Sequence, residues 1–233
     1  MAIADKPKSD STRDRILLEA GPIFARKGFR ATTVREICDN AQVNLASINY
    51  YFGDKQRLYH DTVVLAREMR VQKVPQPTWE PNTPAEQKLE GFIRMVLNRL
   101  VAMQSEPWQV RLLMREILQP TETCRHLVEE YFRPFFETLC AVVDEHVGQR
   151  LPDHKRSQIG FSIIGQCLYY RFSADVTSMM IDEKQYADHF NRDELAQHIT
   201  EFSLGAINQI KQNIKRQNEL SPPAGLSARQ RSD

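Results

Sequence analysis

The residues with the most informative chemistry fall in a short stretch of the first quarter of the chain. Arg35 and Asn49 carry a guanidinium and a carboxamide, the side-chain groups that form bidentate hydrogen bonds with guanine and with adenine. Thr33, Tyr51 and Lys55 carry two hydroxyls and an ammonium, which bind phosphate oxygens in nucleic-acid complexes. Residue types of this kind, so close together, are typical of a surface that contacts DNA.

Two short helices joined by a tight turn are predicted to position these groups. The first begins with Thr33-x-x-Glu36, a capping box in which Thr33 caps the helix and Glu36 reaches back to the cap. Gln42 lies in the turn, and Asn44 is the predicted N-cap of a second helix that ends near Tyr51. Small polar residues and tyrosines of the second helix then face outward, where they can enter a major groove. The two helices alone leave a plain helical hairpin inside an all-α core as an alternative.

The predicted DNA-binding residues share this outward surface. Those expected to contact phosphates are Thr33, Asn44, Tyr51 and Lys55. Those expected to contact base edges are Arg35, Ala46, Ser47, Asn49 and Tyr50, and Leu45 completes the DNA-binding set. Lys55 stands in the first turn of a further helix, where a cation opposes the helix dipole. A phosphate partner therefore explains Lys55 better than helix stability does.

The wider pattern of this region can be written as three spaced segments. They are Gly28-Phe29-x-x-Thr32-Thr33-Val34-x-x-Ile37, then Ala41-x-Val43, then Ile48-x-Tyr50-Tyr51-Phe52-x-x-Lys55. This pattern resembles the DNA-binding domain of the TetR family of bacterial transcriptional regulators, over about residues 12 to 60. The family often has Gly at the position of Gln42, Tyr at that of Asn49 and His at that of Tyr51. These departures leave the fold unchanged and affect the expected operator sequence.

Helical periodicity continues beyond this segment, so we predict an all-α chain of about nine helices. The resemblance implies an N-terminal three-helix helix-turn-helix domain followed by a larger helical domain for effector binding and dimerisation. The predicted regions are a flexible arm at 1–10, the helix-turn-helix domain at 11–57, a connecting helix 4 at 55–73, the helical domain at 58–217 and a disordered tail at 218–233. The other long helices are predicted at Ser11 or Thr12 to Lys27, Ala85 to Gln104, Pro107 to Gln119, about Glu122 to Val147 with a kink at Pro134, about His154 to Met180, and about Arg192 to Gln217.

Composition narrows the class of protein. The chain has 233 residues and a net charge of +1, and no apolar run approaches the roughly 18 residues that a membrane span needs. Residues 1–60 hold 10 Lys and Arg against 7 Asp and Glu, a modestly basic head that suits phosphate contacts. The four cysteines show no metal-binding spacing, so we expect reduced thiols, no metal, no cofactor, a cytoplasmic location and no membrane partner.

Two long helices near the C-terminus carry apolar stripes that predict a homodimer, because a helix-turn-helix reader needs two copies to reach successive major grooves. The residues predicted to form the dimer interface are Ile159, Ile163, Cys167, Leu195, Ile199, Phe202, Ala206 and Ile210. Packing of both helices only inside their own subunit is the alternative.

The helix predicted at Pro107 to Gln119 should be largely buried, because apolar residues cover most of its surface. Arg111 and Arg115 would then be buried like charges four residues apart, and each needs an acceptor. Either they pair internally, for instance with Glu116 or Glu137, or one of them binds an acidic or carbonyl group of an effector. The candidate effector-pocket residues are Arg111, Arg115, Met114, Phe132, Phe136, Tyr169 and Tyr170.

These observations predict a sequence-specific DNA-binding transcriptional regulator, a dimeric repressor that a small effector releases from a palindromic operator. The segment at 112–121 is similar to a TetR subgroup found with drug-efflux operons, which implies an apolar or drug-like effector. A DNA-binding regulator without a small-molecule effector, controlled by a partner or by its abundance, is the alternative. An enzyme is not expected, because the sequence has no nucleophile elbow, no phosphate-cradling Gly-rich loop and no H-E-x-x-H motif.

Overall fold

The computed structural model describes residues 12–100 and 107–220, and every regular element in those residues is a helix. The all-α prediction is therefore confirmed. The α-helices are α1 Thr12–Ala31, α2 Val34–Ala41, α3 Leu45–Phe52, α4 Lys55–Lys73, α5 Ala85–Leu100, α6 Trp108–Leu118, α7 Glu122–Leu127, α8 Arg133–Val147, α9 Asp153–Phe172, α10 Ala174–Met180, α11 Glu183–His189 and α12 Arg192–Leu220. The predicted arm and the predicted tail after residue 220 lie outside the described residues, as does the end of the helix predicted at Ala85 to Gln104.

The helical segments are more numerous than the predicted nine, because local signals divide two of the long ones. The predicted helix at 154–180 is interrupted at Ser173 (φ −102°, ψ 11°), whose hydroxyl donates to the carbonyl oxygen of Tyr169. Such bonds from a serine side chain to the preceding turn compete with the helical pattern. The separate helix α11 begins after its N-cap, Asp182, whose carboxylate accepts hydrogen bonds from the backbone N–H groups of Lys184 and Gln185.

The kink predicted at Pro134 takes the form of a π-helical segment at Val128–Phe132, directly before α8. The N–H of Arg133 donates to the carbonyl oxygen of Val128, one residue further back than in an α-helix. A proline ring clashes with the carbonyl four residues before it, and the wider π turn gives that carbonyl more room. The single helix predicted from about Glu122 to Val147 is thus α7, the π segment and α8 in succession.

The described residues form two compact units, and the chain passes between them after Thr78, within α5 and within α8. The first unit contains residues up to Thr78 and Met95–Phe136. Its core holds fully buried residues of α1 to α4, such as Phe24 and Ile48, together with Leu112 of α6. Helix α6 therefore packs with α1 and α4 in one unit. The predicted domain boundary near residue 57 would instead place α6 and α1 in different domains.

Close packing of α6 on α1 depends on a glycine. A Cβ at Gly21 would lie 2.4 Å from the ring of Trp108, so any larger residue would push the two helices apart. Gly28 interrupts the helical backbone of α1 with φ +78° and ψ 173°, a positive φ that glycine adopts without steric penalty.

The second unit contains Trp79–Arg94 and the described residues from Glu137 onwards. Buried Arg156 on α9 joins this helix to α8, because it donates to Glu137 (3.0 Å) and to Asp144 (2.9 Å). His146 of α8 shares a 2.7 Å hydrogen bond with Asn208 of α12. Helices α9 and α12 pack against each other in this unit.

This packing corrects half of the predicted dimer interface. Four of the eight residues are core residues of their own chain, with exposed fractions of 6% or less: Ile163, Cys167, Leu195 and Ile199. These four do not face a partner, because α9 and α12 pack against each other within the second unit and bury them in its core. The remaining four reach the surface: Phe202 and Ala206 are exposed, and Ile159 and Ile210 are half-buried.

Candidate nucleic-acid interface

The start of α2 is set by Thr33, which has extended backbone angles (φ −105°, ψ 146°) and accepts a hydrogen bond from the N–H of Glu36 at 3.2 Å. This confirms the predicted N-cap. The carboxylate of Glu36 does not complete the capping box, because it pairs with the ammonium of Lys27 at 2.7 Å. The side chain of Glu36 therefore joins α2 to the end of α1 rather than to its own cap.

The turn between α2 and α3 contains a strained residue. Gln42 adopts a left-handed conformation (φ 52°, ψ 49°), which costs a non-glycine residue about 1–2 kcal/mol. The N–H of Val43 donates to the carbonyl oxygen of Cys38 at 3.0 Å and closes the turn. The resulting geometry brings α3 onto α2 despite the absence of glycine.

Helix α3 is anchored through one face and open on the others. Ile48 and Phe52 are 1% and 3% exposed, which confirms them as the inward pair. Asn44 caps the helix, since its Oδ1 accepts from both the N–H and the hydroxyl of Ser47, at 2.9 and 3.0 Å. Tyr50, by contrast, is 83% exposed, so the outer face of α3 is free to meet a partner.

All ten predicted DNA-binding residues reach the surface of the first unit. Eight are exposed and two, Ser47 and Lys55, are half-buried. The Tyr50 and Tyr51 rings meet edge to face, with centroids 5.0 Å apart, which restricts two of the proposed contact groups. The structure thus brings together, on α2, α3 and the start of α4, the side chains that the sequence pattern singles out.

Lys55 is held more firmly than a solvent-exposed lysine. Its Nζ lies 4.6 Å from the centre of the Phe29 ring and 3.4 Å from the carbonyl oxygen of Arg30. Burial lowers the pKa of Lys55 from its ordinary value. Asp54 caps α4 by accepting from the N–H of Arg57 at 2.8 Å, so the backbone that carries Lys55 is fixed as well.

Two family models match the chain in succession. Residues 16–62 match the model described as "Bacterial regulatory proteins, tetR family". Residues 85–207, more than half of the chain, match "HTH-type transcriptional dual regulator CecR, C-terminal domain". The protein is a TetR-family transcriptional regulator with a C-terminal domain of the CecR type. The resemblance seen in the sequence is confirmed, and the helix-turn-helix of this regulator is a DNA-binding element.

Individual relatives agree with this assignment. The probable HTH-type transcriptional regulator YttP of Bacillus subtilis is 28% identical over 140 residues, which cover 60% of this chain and 67% of that protein. The HTH-type transcriptional repressor NicS of Pseudomonas putida is 38% identical over 52 residues, which cover 22% of this chain and 24% of that protein. The match to NicS is therefore confined to about a fifth of this chain.

Solved structures support the fold. A TetR-like transcriptional regulator from Rhodococcus sp. RHA1 superposes with a TM-score of 0.61 at 14% identity, over 88% of this chain and 99% of that chain. SCO3833 of Streptomyces coelicolor, a member of the TetR family, gives a TM-score of 0.54 at 18% identity, over 88% of this chain and 94% of that chain.

Within the described residues of the regulator, no helix is both long and apolar enough to span a membrane.

The environment of α6 differs from the prediction. Arg111 is exposed and Arg115 is half-buried, so the two are not buried like charges. The charged residue that α6 buries is Glu116, at 0% exposure. Glu137, the other predicted partner, pairs with Arg156. Periodicity misplaced the buried face of α6 because its apolar residues cover most of the helix and leave the inward direction to tertiary contacts.

Glu116 is a buried carboxylate with three donors from two residues. The hydroxyl of Tyr59 donates through a very short hydrogen bond, and the N–H and hydroxyl of Thr121 donate at 3.3 and 2.9 Å. Burial, followed by the hydrogen bond and charge of Glu116, raises the pKa of Tyr59 well above its ordinary value. Sequence reasoning missed this pair, and the single acidic residue in an apolar helix was the only signal for it.

The candidate effector residues fall in both compact units. Met114 is buried, and Phe132 and Phe136 are half-buried, in the first unit. Tyr169, 56% exposed, and half-buried Tyr170 belong to the second unit. Their role in effector binding stays a prediction.

Proposed function

We propose that this regulator is a dimeric repressor that binds a palindromic operator and leaves it when a small molecule binds. The observation that carries the proposal is the geometry of α3. Ile48 and Phe52 anchor the helix in the core, while its polar and aromatic residues stand exposed. A helix of this kind enters the major groove and presents its outer side chains to base edges.

The DNA contacts divide into two classes. Thr33, Asn44, Tyr51 and Lys55 contact phosphates and fix the position of α3. Arg35 and Asn49, with their neighbours Leu45, Ala46, Ser47 and Tyr50, contact base edges. Asn44 already accepts two hydrogen bonds through its Oδ1, so its contact to phosphate runs through the amide NH₂, which is a donor.

The dimer forms through the exposed side of α9 and α12. Phe161 of α9 and Phe202 of α12 are 65% and 64% exposed on two helices that pack against each other, and exposed apolar patches mark protein–protein interaction sites. A Cβ at Gly165 or at Gly205 would meet nothing within 4 Å. These glycines leave open surface on which helices of a second copy can approach closely. Phe202, Ala206, Ile159 and Ile210 keep their predicted place in this interface.

The effector is an apolar or drug-like molecule, and Met114, Phe132 and Phe136 remain the residues proposed to contact its apolar part. An effector shifts DNA binding only if its affinity differs between the DNA-bound and released conformations. Helix α4 carries Lys55 at its first residue and continues into the first unit's core, so a change of its direction moves a phosphate contact.

Retention of genomic DNA tests the proposal. The full-length protein is mixed with sheared DNA of the source genome, and the retained fragments are sequenced. A palindromic enriched site supports the repressor function, and in vitro transcription from that site then separates repression from activation. Wild type and Asn49→Ala are compared, since loss of a base contact should change the enriched sequence and leave salt-sensitive retention in place. Retention without any enriched sequence contradicts the proposal.

Small molecules added to the retained complex then test for an effector. Release of the DNA by a small molecule distinguishes an effector-controlled regulator from one without an effector.

A further inference from the structure

A cleft of about 630 Å³ opens in the first unit, on the side of the helix-turn-helix. One wall is the C-terminal end of α1 at 27–31, and the other is formed by residues 119–123, which are the connection from α6 to α7 and the first residues of α7. Its size is within the range of about 300–1,000 Å³ that small-molecule sites occupy. No residue of this cleft except Arg115 was predicted to contact an effector, because its walls are more than 80 residues apart in the chain.

The floor and sides of the cleft are partly apolar. Phe29, Tyr59 and Pro120 line it, and Tyr59 is held in place by its hydrogen bond to Glu116. Its ring also meets Phe24 edge to face, with centroids 4.8 Å apart. Tyr59, which is 1% exposed, therefore forms a fixed base beneath the more exposed Phe29 and Pro120, which suit the apolar body of a ligand.

Arg115 places a guanidinium at the side of this apolar surface. Its Nη2 donates to the carbonyl oxygen of Arg26 at 3.1 Å. A Cβ at Gly28 would lie 2.8 Å from its Nη1, so the missing side chain lets the guanidinium lie against the turn. A guanidinium has five N–H donors, and it can hold the backbone carbonyl and an anion at the same time.

The other charges of the cleft do not cancel this cation. Lys27 is paired with Glu36, and the carboxylate of Glu116 faces Tyr59 and Thr121. Exposed Arg30 lies on one wall and exposed Glu122 on the other. Two guanidiniums, Arg30 and Arg115, thus stand against one exposed carboxylate.

We propose that this cleft binds a small organic acid, with its carboxylate or sulfonate on Arg115 and its apolar body against Phe29 and Pro120, over the buried Tyr59. Arg115 was a candidate for the effector pocket, but Met114, Phe132 and Phe136, which are proposed to contact the apolar effector, do not line this cleft. The wall formed by residues 27–31 supplies Phe29 and the Arg30 carbonyl that hold Lys55, and it leads directly to Thr33. A bound acid therefore changes the positions of two proposed phosphate contacts, a consequence that rests on the proposed function.

Binding is tested without DNA, using 8-anilino-1-naphthalenesulfonate as the probe and its fluorescence as the readout. Wild-type protein should bind it, and Arg115→Gln should weaken binding about tenfold, as loss of a charge-assisted hydrogen bond does. Gln119→Trp should weaken binding by filling the cleft while keeping Arg115. The control Arg125→Gln removes the same charge from α7 at an exposed position outside the cleft, and it should bind like wild type. Far-UV circular dichroism and thermal unfolding show whether each variant is folded.

A neutral probe identifies the chemistry of recognition. N-phenyl-1-naphthylamine has the same rings and no sulfonate, so its binding should respond to Gln119→Trp and not to Arg115→Gln. The proposal is overturned if wild type does not bind the sulfonate, if Arg115→Gln and Gln119→Trp both bind it like wild type, or if both probes respond equally to Arg115→Gln. None of these outcomes touches the operator experiment, so failure of the cleft and failure of the repressor function remain distinguishable.

Discussion

Arg70 of α4 and Arg99 of α5 each bind the C-terminal end of the other's helix. The guanidinium of Arg70 donates to the carbonyl oxygens of Asn98 and Arg99, at 3.0 and 2.6 Å. The Nε of Arg99 donates to the carbonyl oxygen of Val74 at 2.8 Å, and its Nη1 donates to the hydroxyl of Tyr131. Both arginines are 8% exposed. Carbonyl groups at helix C-termini carry partial negative charge, so these bonds stabilise two buried cations at once.

Replacing Arg99 with Met should lower the free energy of unfolding by about 2 kcal/mol, because it leaves the partly buried Val74 carbonyl and the Tyr131 hydroxyl without this donor. Part of the loss is offset, because burial and then the charge of Arg99 lower the pKa of Arg70, and removing one of two like charges relieves their repulsion. Urea unfolding at a fixed protein concentration measures the change. Arg133→Met removes the same charge at an exposed position; if it is equally destabilising, the helix-end bonds contribute nothing.

The turn at Gln42 should be easy to stabilise. Glycine reaches the left-handed region without steric penalty, so Gln42→Gly should raise the free energy of unfolding by about 1 kcal/mol. Gln42→Ala keeps the Cβ and serves as the control, with no gain expected. Thermal unfolding of the three proteins decides between them. Equal stability of Gln42→Gly and Gln42→Ala would mean that the left-handed angle carries no strain.

The Tyr59 hydroxyl should make the fold sensitive to alkaline pH. Its pKa is raised in the folded protein, so the unfolded chain releases this proton first, above its ordinary pKa of about 10. The stabilising contribution is therefore complete below about pH 10 and falls as the pH rises further. Unfolding free energies measured from neutral pH to about pH 11 give this slope.

Tyr59→Phe should lose about 1–3 kcal/mol at neutral pH, because buried Glu116 loses a donor. The same variant should show a shallower decline at alkaline pH than wild type. Tyr186→Phe is the control, since the hydroxyl of Tyr186 bonds a backbone carbonyl rather than a carboxylate. A parallel alkaline decline in wild type and Tyr59→Phe would assign the pH dependence to other groups.

Local signals explain why α1 to α4 were predictable. The caps Thr33, Asn44 and Asp54 each bond a backbone N–H three residues ahead, so the sequence alone contains both partners. The side chain of Arg115 instead bonds Arg26, 89 positions away. Such distant contacts determine which face of α6 is buried and which residues line the cleft. They also determine that four of the eight predicted dimer-interface residues are buried in their own chain. Apolar periodicity marks a stripe, and it does not say whether the stripe meets its own chain or a second one.

Two substitutions separate the proposed phosphate and base contacts. Lys55→Met should weaken binding to every operator variant and reduce the slope of log affinity against log salt by about 0.9, the value for one phosphate contact. The effect of Arg35→Met should be confined mainly to one base pair of the operator. At that position, the free-energy difference between the preferred base and the others should fall by about 1–3 kcal/mol. Fluorescence anisotropy on the recovered operator and its single-base variants, at several salt concentrations, measures both.

The matched control is Arg57→Met, which removes an exposed cation two residues after Lys55, outside the proposed set. It should change affinity less than Lys55→Met. Because Lys55 is already fixed by Phe29 and the Arg30 carbonyl, its ammonium loses little freedom on meeting a phosphate, and its contribution should exceed that of a free surface lysine. If Lys55→Met and Arg35→Met gave the same profile across operator variants, the division between phosphate and base contacts would be wrong, although the helix-turn-helix assignment would stand.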